Sequence, residues 1–331
     1  MSIVRAMFVF LAVLALPLAA LAQPKAPVKV RYTEIARSIM YAPAYVALSK
    51  GYLREAGLDV SFTTTFEGDK VTAALLSGVQ DIALTGPNFT FYVAKSESPT
   101  KLKIFCGLVA TDGFVLVSRA KIDKFDWSML RGKEILSTRP GQTPALFLEA
   151  ALKKHGIDPA KDVKLVGNVP FPARLPAWLS GQNQFAIFLE PDVSMLERDG
   201  KGHEVASIGA EVGNLDYTVF VATDTYIKQN PQVVQAWTDA IYRAQKFTET
   251  ASTAELVKIL AEFFPGVEAQ LLGKGVERYK KYRIWKTSPL VEPKAIEGLQ
   301  DVLVLGGVLD KAKRVTYEEV VAPQFARQAK P

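Results

Sequence analysis

The chain has 331 residues, 49% hydrophobic and 22% charged, which suits two globular domains of roughly 100–200 residues each and excludes a disordered or low-complexity polymer. Its net charge is +6, but the basic residues are mixed with acids, so they read as a solvated surface and not as a nucleic-acid-binding stripe. The single cysteine, Cys106, excludes an internal disulfide framework; within the apolar run LKIFCGL it reads as a small core hydrophobe.

At the N-terminus, Arg5 precedes an apolar run from Ala6 to Leu16, followed by Pro17 and the small residues Ala20 and Ala22. This pattern predicts a cleavable secretory signal over residues 1–22 and a periplasmic mature chain. The run is broken by proline and falls short of the ~20 apolar residues that span a bilayer.

VKVRYTE then predicts a strand, and Tyr45, Leu48 and Tyr52 share one helix face that ends at Gly57. DVSFTTTF is a strand, GDKVTAALLSG a helix with Asp69 as N-cap, and DIALTG a short buried strand. A short helix at 91–95 leads to the strands LKIFCGLVA and GFVLVSR. The order then repeats. GKEILST is a strand, and TPALFLEAALKKHG a helix with Thr143 as N-cap and Pro144 at its first position. DVKLVGN is a strand, FPARLPAWLSG a helix shortened or kinked by Pro176, and QFAIFLEP a strand. DVSMLERDG is a short helix, and HEVASIG and YTVFVAT are strands. From Pro231 onward the pattern is helical, with Val234, Trp237, Ile241 and Ala244 on one face. Further helices are predicted over 252–263, 266–281, 292–305 and 316–328.

The repetition extends to residues. Ala74, Leu76, Ser77, Gly78 and Ala83 of ALLSGVQDIALTGP recur at a constant offset as Ala177, Leu179, Ser180, Gly181 and Ala186 of AWLSGQNQFAIFLEP. Two passes of alternating strands and helices predict a duplicated α/β architecture with largely parallel sheets and helices on both faces. Ligands of such sheets sit beyond the carboxyl ends of the strands and between domains.

Candidate binding residues follow from those strand ends. Ser38 and Tyr41 precede the first helix, Tyr41 as an aromatic wall. Thr85 and Asn88 close a buried strand, and Asp112 lies beside a crossing strand. Arg139, Gln142 and Thr143 stand at a helix N-terminus, where a guanidinium, free N–H groups and a hydroxyl suit an anion; an ordinary cap is the plainer reading. Glu190 ends the matching strand of the second pass, either as a carboxylate facing an N–H donor or as the cap of the next helix. Trp178 replaces Leu75 of the first pass at a core-facing position. His155 and His203 lack metal-ligand partners at useful spacing, and no nucleophile elbow, HExxH or phosphate loop occurs. Catalysis, metals and cofactors are therefore not expected.

YAPAYVALSKGYLREAGLDV, ALLSGVQDIAL, LRGKEI followed by PGQTP, ALKKHGIDPAKDV and LSGQNQFAIFLEP together resemble the periplasmic substrate-binding proteins of ABC importers. The resemblance is to their nitrate/sulfonate/taurine group, which includes receptors for thiamine-pyrimidine precursors, and it covers residues 28–325. Gln184 departs from the pattern, which carries an acid as at Asp81. The resemblance implies a two-lobed α/β fold of the type II periplasmic-binding class. Lobe I would be 28–112 plus 224–331 and lobe II 120–216, with hinge crossings at 113–119 and 217–223 and the C-terminal helices on lobe I. It implies a monomer that captures a sulfonate, taurine or carboxylate-like molecule by hinge closure and delivers it to the ABC permease of the inner membrane. A receptor for a pyrimidine or flavin precursor and a periplasmic sensor co-receptor are the alternatives. A pyrimidine-synthase-like enzyme is disfavoured, because that activity needs a His and a Cys-rich motif that this chain lacks.

Overall fold

Alternating strand and helix periodicities produce two α/β sheets in the computed structural model, which describes residues 26–331 except Gln182. The predicted signal segment lies outside the described residues. The first pass comprises β1 (Val28–Glu34), α1 (Ala42–Ser49), α2 (Tyr52–Glu55), β2 (Leu58–Thr64), α3 (Gly68–Leu76), β3 (Ile82–Thr85), α4 (Asn88–Ala94) and β4 (Leu102–Val109). The chain then enters β5 (Val115–Ser118). The second pass comprises β6 (Glu134–Leu136), α5 (Thr143–Lys154), β7 (Lys164–Val166), α6 (Arg174–Leu179), β8 (Phe185–Phe188), α7 (Asp192–Arg198), β9 (His203–Ser207), α8 (Ile208–Val212) and β10 (Thr218–Thr223). The tail is α9 (Asp224–Gln229), α10 (Pro231–Thr250), α11 (Thr253–Leu260), α12 (Ala269–Lys281), α13 (Pro293–Leu305), α14 (Tyr317–Val320) and α15 (Gln324–Gln328). Among the described residues no helix is long and apolar enough to cross a membrane.

The sheets run β2-β1-β3-β10-β4 and β7-β6-β8-β5-β9. Strand for strand, the second repeats the first, except that each takes its fourth strand from the other half of the chain. β5 leaves the first pass to pair with β8 and β9, and β10 returns to pair with β3 and β4. Both inserted strands are antiparallel to their neighbours, so the sheets are mixed and not largely parallel. The chain passes between sheets through 110–114 and 213–217.

Two local expectations change. Glu67, not Asp69, holds the N-cap position of α3, with φ 80° and no side-chain cap bond. Gly68 starts that helix directly under the Phe89 ring, where a β-carbon would lie 1.9 Å from a ring atom. At α5 the cap position belongs to Gln142, and Thr143 is the first helical residue. Its hydroxyl is used across the cleft instead.

The tail covers the first sheet: α10 packs on α1, α2 and β4, α11 on α1, and α15 on β4. Two of its helices also touch the second lobe, α12 against α7 and α13 against α5. In the first core, Trp237 meets Tyr32 and Phe220 with ring centroids 5.1 and 5.5 Å away. In the second, fully buried Trp178 packs against Phe188. Its Nε1 donates to the Lys201 carbonyl (2.8 Å), and the Arg119 guanidinium stacks 4.0 Å from its ring. Cys106 is buried and free.

Candidate functional site

The carboxyl ends of β1, β3, β6 and β8 point toward one space between the lobes. β10 and β5 run the other way, so their first residues meet the same space. This arrangement brings Phe114, Tyr217 and Thr218 into its wall. The cavity holds about 550 Å³ not filled by protein atoms, part of it open to solvent. First-lobe walls are Ile35, Ala36, Met40, Tyr41, Glu67, Gly86 and Phe89; second-lobe walls include Thr138, Gln142, Thr143, Phe171 and Leu189. Phe66 of the first lobe stacks on the cavity wall Phe171 of the second, with centroids 5.9 Å apart.

Of the nine candidate residues, Tyr41, Gln142 and Thr143 line this cavity. Asn88 lies just behind it: its Oδ1 accepts from the Thr143 hydroxyl at 2.6 Å, a buried bond between lobes. Gly86 is the residue that lets the lobes meet there, because a β-carbon on it would lie 2.6 Å from both Thr143 Oγ1 and Asn88 Oδ1. Gly86→Ala is expected to cost about 1–3 kcal/mol in denaturant unfolding through this overpacking. Most of that cost should vanish in an Asn88→Ala/Thr143→Ala background, as a mutant cycle would measure.

Thr85, Ser38 and Asp112 are buried and do not line the cavity. Thr85 Oγ1 has no protein partner. The Ser38 hydroxyl caps the 39–41 turn by accepting from Met40 N–H and donates to the Glu190 carbonyl at 3.2 Å. Asp112 Oδ1 accepts from Phe114 N–H at 2.8 Å. Burial pushes its carboxyl up to about 7, with that N–H and the neighbouring Tyr217 hydroxyl pulling the other way. Asp112 therefore stands behind two cavity walls, Phe114 and Tyr217.

Arg139 and Glu190 depart furthest from the expectation. Arg139 Nη2 pairs with Glu67 (2.7 Å) and Asp69 (2.8 Å) at the cavity rim, so its charge is met by acids of the other lobe. The Glu190 carboxylate is fully buried and paired with Arg278, and it accepts from Ser194 N–H and Oγ at 3.2 and 3.0 Å. It neither lines the cavity nor faces a ligand donor.

The apolar walls Met40, Phe114 and Leu189, together with Tyr217, escaped the sequence reading. Phe114, Leu189 and Tyr217 flank strands and have the composition of core strands, while Met40 lies in the 39–41 turn before α1. Buried Arg174 was also missed. It lies 5.8 Å from the Phe114 and Phe171 centroids, and its Nη2 donates to the carbonyls of Ile187 (2.6 Å) and Leu136 (3.3 Å). Burial lowers its pKa to about 10. Among the described residues, those lining the cavity include no Lys, Arg or His.

Known proteins share this architecture. The family described as NMT1/THI5 like matches residues 38–250. The Bacillus subtilis (strain 168) protein YtlA is 38% identical over 311 residues, covering 94% of this chain and 92% of its own. The riboflavin-binding protein RibY of Chloroflexus aurantiacus is 28% identical over 244 residues, covering 73% of this chain and 67% of its own. The crystal structure of the periplasmic nitrate-binding protein NrtA from Synechocystis PCC 6803 superposes with a TM-score of 0.76 at 16% identity, covering 91% of this chain and 88% of that one. At that identity the likeness shows the fold, a two-lobed α/β periplasmic-binding type.

Proposed function

Because this chain belongs to the NMT1/THI5-like family, we propose that it is an extracytoplasmic solute-binding protein that closes two lobes around a small molecule and delivers it to an ABC permease. In this reading lobe I is 28–112 plus 224–331 completed by β10, lobe II is 120–216 completed by β5, and the hinge lies where the chain passes between the sheets, at 110–114 and 213–217. Closure brings the strand ends of both sheets onto the ligand.

The ligand is a compact heterocycle of one to three fused rings carrying N–H or carbonyl groups. The observation that carries this reading is the wall chemistry. Tyr41, Phe89, Phe114, Phe171 and Tyr217 offer aromatic faces, and Thr138, Gln142 and Thr218 offer a few polar groups. Thr138 Oγ1 is buried with no protein partner, as a group awaiting a ligand would be. A sulfonate, taurine or nitrate would be held most strongly by a charged donor beside the N–H groups at the start of α5, and none of the cavity-lining residues supplies one. Arg139 is engaged by two acids, Arg174 is turned onto backbone carbonyls, and the Thr143 hydroxyl is committed to Asn88. The riboflavin-binding relative supports a heterocycle; the nitrate-binding neighbour supports the fold.

A thermal-shift and calorimetric panel tests both levels. A pyrimidine or flavin at a hundredfold excess over Kd should stabilise the protein by about 2.7 kcal/mol, while taurine, alkanesulfonates and nitrate leave the melting temperature unchanged. Stabilisation by sulfonates alone would reverse the ligand reading. No response to any compound, with nothing retained in native mass spectrometry, would overturn the binding reading.

A further inference from the structure

The tail helix α12 carries a charge arrangement that the cavity does not explain. Arg278 is only 11% exposed and meets three carboxylates: Glu190, Glu197 (2.6 Å) and Glu204 (2.7 Å). Its Nη1 also donates to Ser194 Oγ at 3.2 Å. All four partners belong to the second lobe, on or beside α7 and β9. Arg278 comes from the tail, which packs on the first lobe through α11 and the 39–41 turn. Just beyond α12, the Tyr282 hydroxyl bonds Glu204 as well. Next in the helix, the Tyr279 hydroxyl accepts from Glu190 N–H at 2.9 Å. At this cluster the guanidinium comes from the tail and the three acids from the second lobe; Lys281 of the tail also faces Glu204, and Arg198 of α7 pairs in the opposite sense with Glu268 beside α12 at 2.7 Å.

A second feature points to the same seam. Gly275 lies one helical turn before Arg278. A β-carbon there would fall 2.6 Å from Ile39 Cδ1 of the first lobe and 3.1 Å from Glu190 Cβ of the second. The missing side chain is what allows α12, the 39–41 turn and Glu190 to meet at one point. That point adjoins the cavity, because Leu189 and Met40 are walls and Ser38 bonds Glu190 across the seam.

We propose that α12 is a built-in latch: Arg278 grips the Glu190–Glu197–Glu204 cluster of the second lobe, and Gly275 provides the clearance, so that the cleft is biased toward closure before any ligand enters. This rests on the reading of the lobes as hinged. Opening would give up three ion pairs and leave three like charges clustered on one lobe, against the hydration that both sides regain; the bias toward closure is the difference between the two. Arg278 is a positioning residue. It touches no ligand and acts on the cavity through Glu190 and its neighbours Leu189 and Ser38.

Single-molecule FRET on the full chain without ligand tests this, so the result does not depend on which molecule binds. Dyes go on Val79→Cys in the first lobe and Leu179→Cys in the second, at side chains 58% and 53% exposed; Cys106 is fully buried and stays unlabelled. The wild-type background should show a closed population. Arg278→Gln should lower the closed-to-open ratio by roughly tenfold or more. One molar salt should lower it in the wild type and have little further effect in Arg278→Gln. Gly275→Ala gives an independent route, since alanine favours the helix itself while filling the clearance; it should shift the ratio the same way. A wild type that is open without ligand, or unchanged dye distances in both folded variants, would overturn the latch. A failed ligand panel would leave these distances unaffected, so the two ideas fail separately.

Discussion

Replacing Trp178 with alanine is expected to destabilise the protein by about 3–5 kcal/mol, the cost of deleting a buried tryptophan and leaving a cavity. The side chain is fully buried on one face of the second sheet, with Phe188, Val193 and Leu196 in the same cluster. Alanine also removes the donor to the Lys201 carbonyl and the ring beneath Arg119. Urea unfolding should show a lower midpoint at an unchanged slope. Trp178→Phe should cost less, because it retains most of the apolar volume and loses mainly the Nε1 bond. A near-zero effect of alanine would mean that the residue is a wall of a binding site and not the keystone of a core.

The second large effect concerns pH. Burial holds the Asp112 carboxyl at about 7 in the folded state, against an ordinary value near 4. Below pH 4 both folded and unfolded chains carry the proton, and stability is unaffected. Between about 4 and 7 the unfolded chain releases it first, so stability falls as pH rises, by up to about 4 kcal/mol from this group. Asp112→Asn removes the ionisation. The amide oxygen can still accept from Phe114 N–H, and the new NH₂ faces the Tyr217 hydroxyl. The variant should therefore match or trail the wild type at pH 4.5 and exceed it at pH 8.5 by several degrees in Tm. Glu34 (about 7) and Asp192 (about 6) are raised by burial in the same direction and remain in the variant, so the slope should shrink without disappearing. An identical pH profile in the two proteins would show that Asp112 ionises freely in the fold.

What was legible in the sequence was what local periodicity encodes. The order of strands and helices, the helix stop at Gly156 and the burial of Trp178 all follow from spacing within a few residues; the single helix expected up to Gly57 is instead split at Gly51 (φ 74°) into α1 and α2. The Gly86-Pro87 and Gln142-Thr143 ends were visible because strand ends and helix starts carry their own signatures. Arg139 and Glu190 sit away from the ligand-facing reading for one physical reason: their environment is set by partners distant in the chain. Glu67 and Asp69 meet Arg139 only once the lobes touch, and Arg278 reaches Glu190 from the tail. Phe114 and Tyr217 were invisible as cavity walls because they begin or precede antiparallel strands, whose first residues look like core in any linear reading. The mixed sense of the sheets escaped for the same reason, since pairing direction is not encoded in alternation.

The exchanged strands also set a timetable for a nascent chain. β10 occupies the slot between β3 and β4, and it ends at Thr223. When the ribosome has made everything through β4, the first sheet still has a vacant position, and both strands flanking it display unpaired backbone groups. It remains so until the whole second pass has emerged. The second sheet is built from the consecutive strands β5 to β9 and is complete once β9 has emerged, whereas the first sheet must wait for β10, so the first sheet is the one that arrives late. The same order decides where the protein can be cut: severed between β5 and β6, each fragment lacks an inner strand and should be expected to aggregate unless the two are recombined, whereas a cut before β5 deprives only the first sheet.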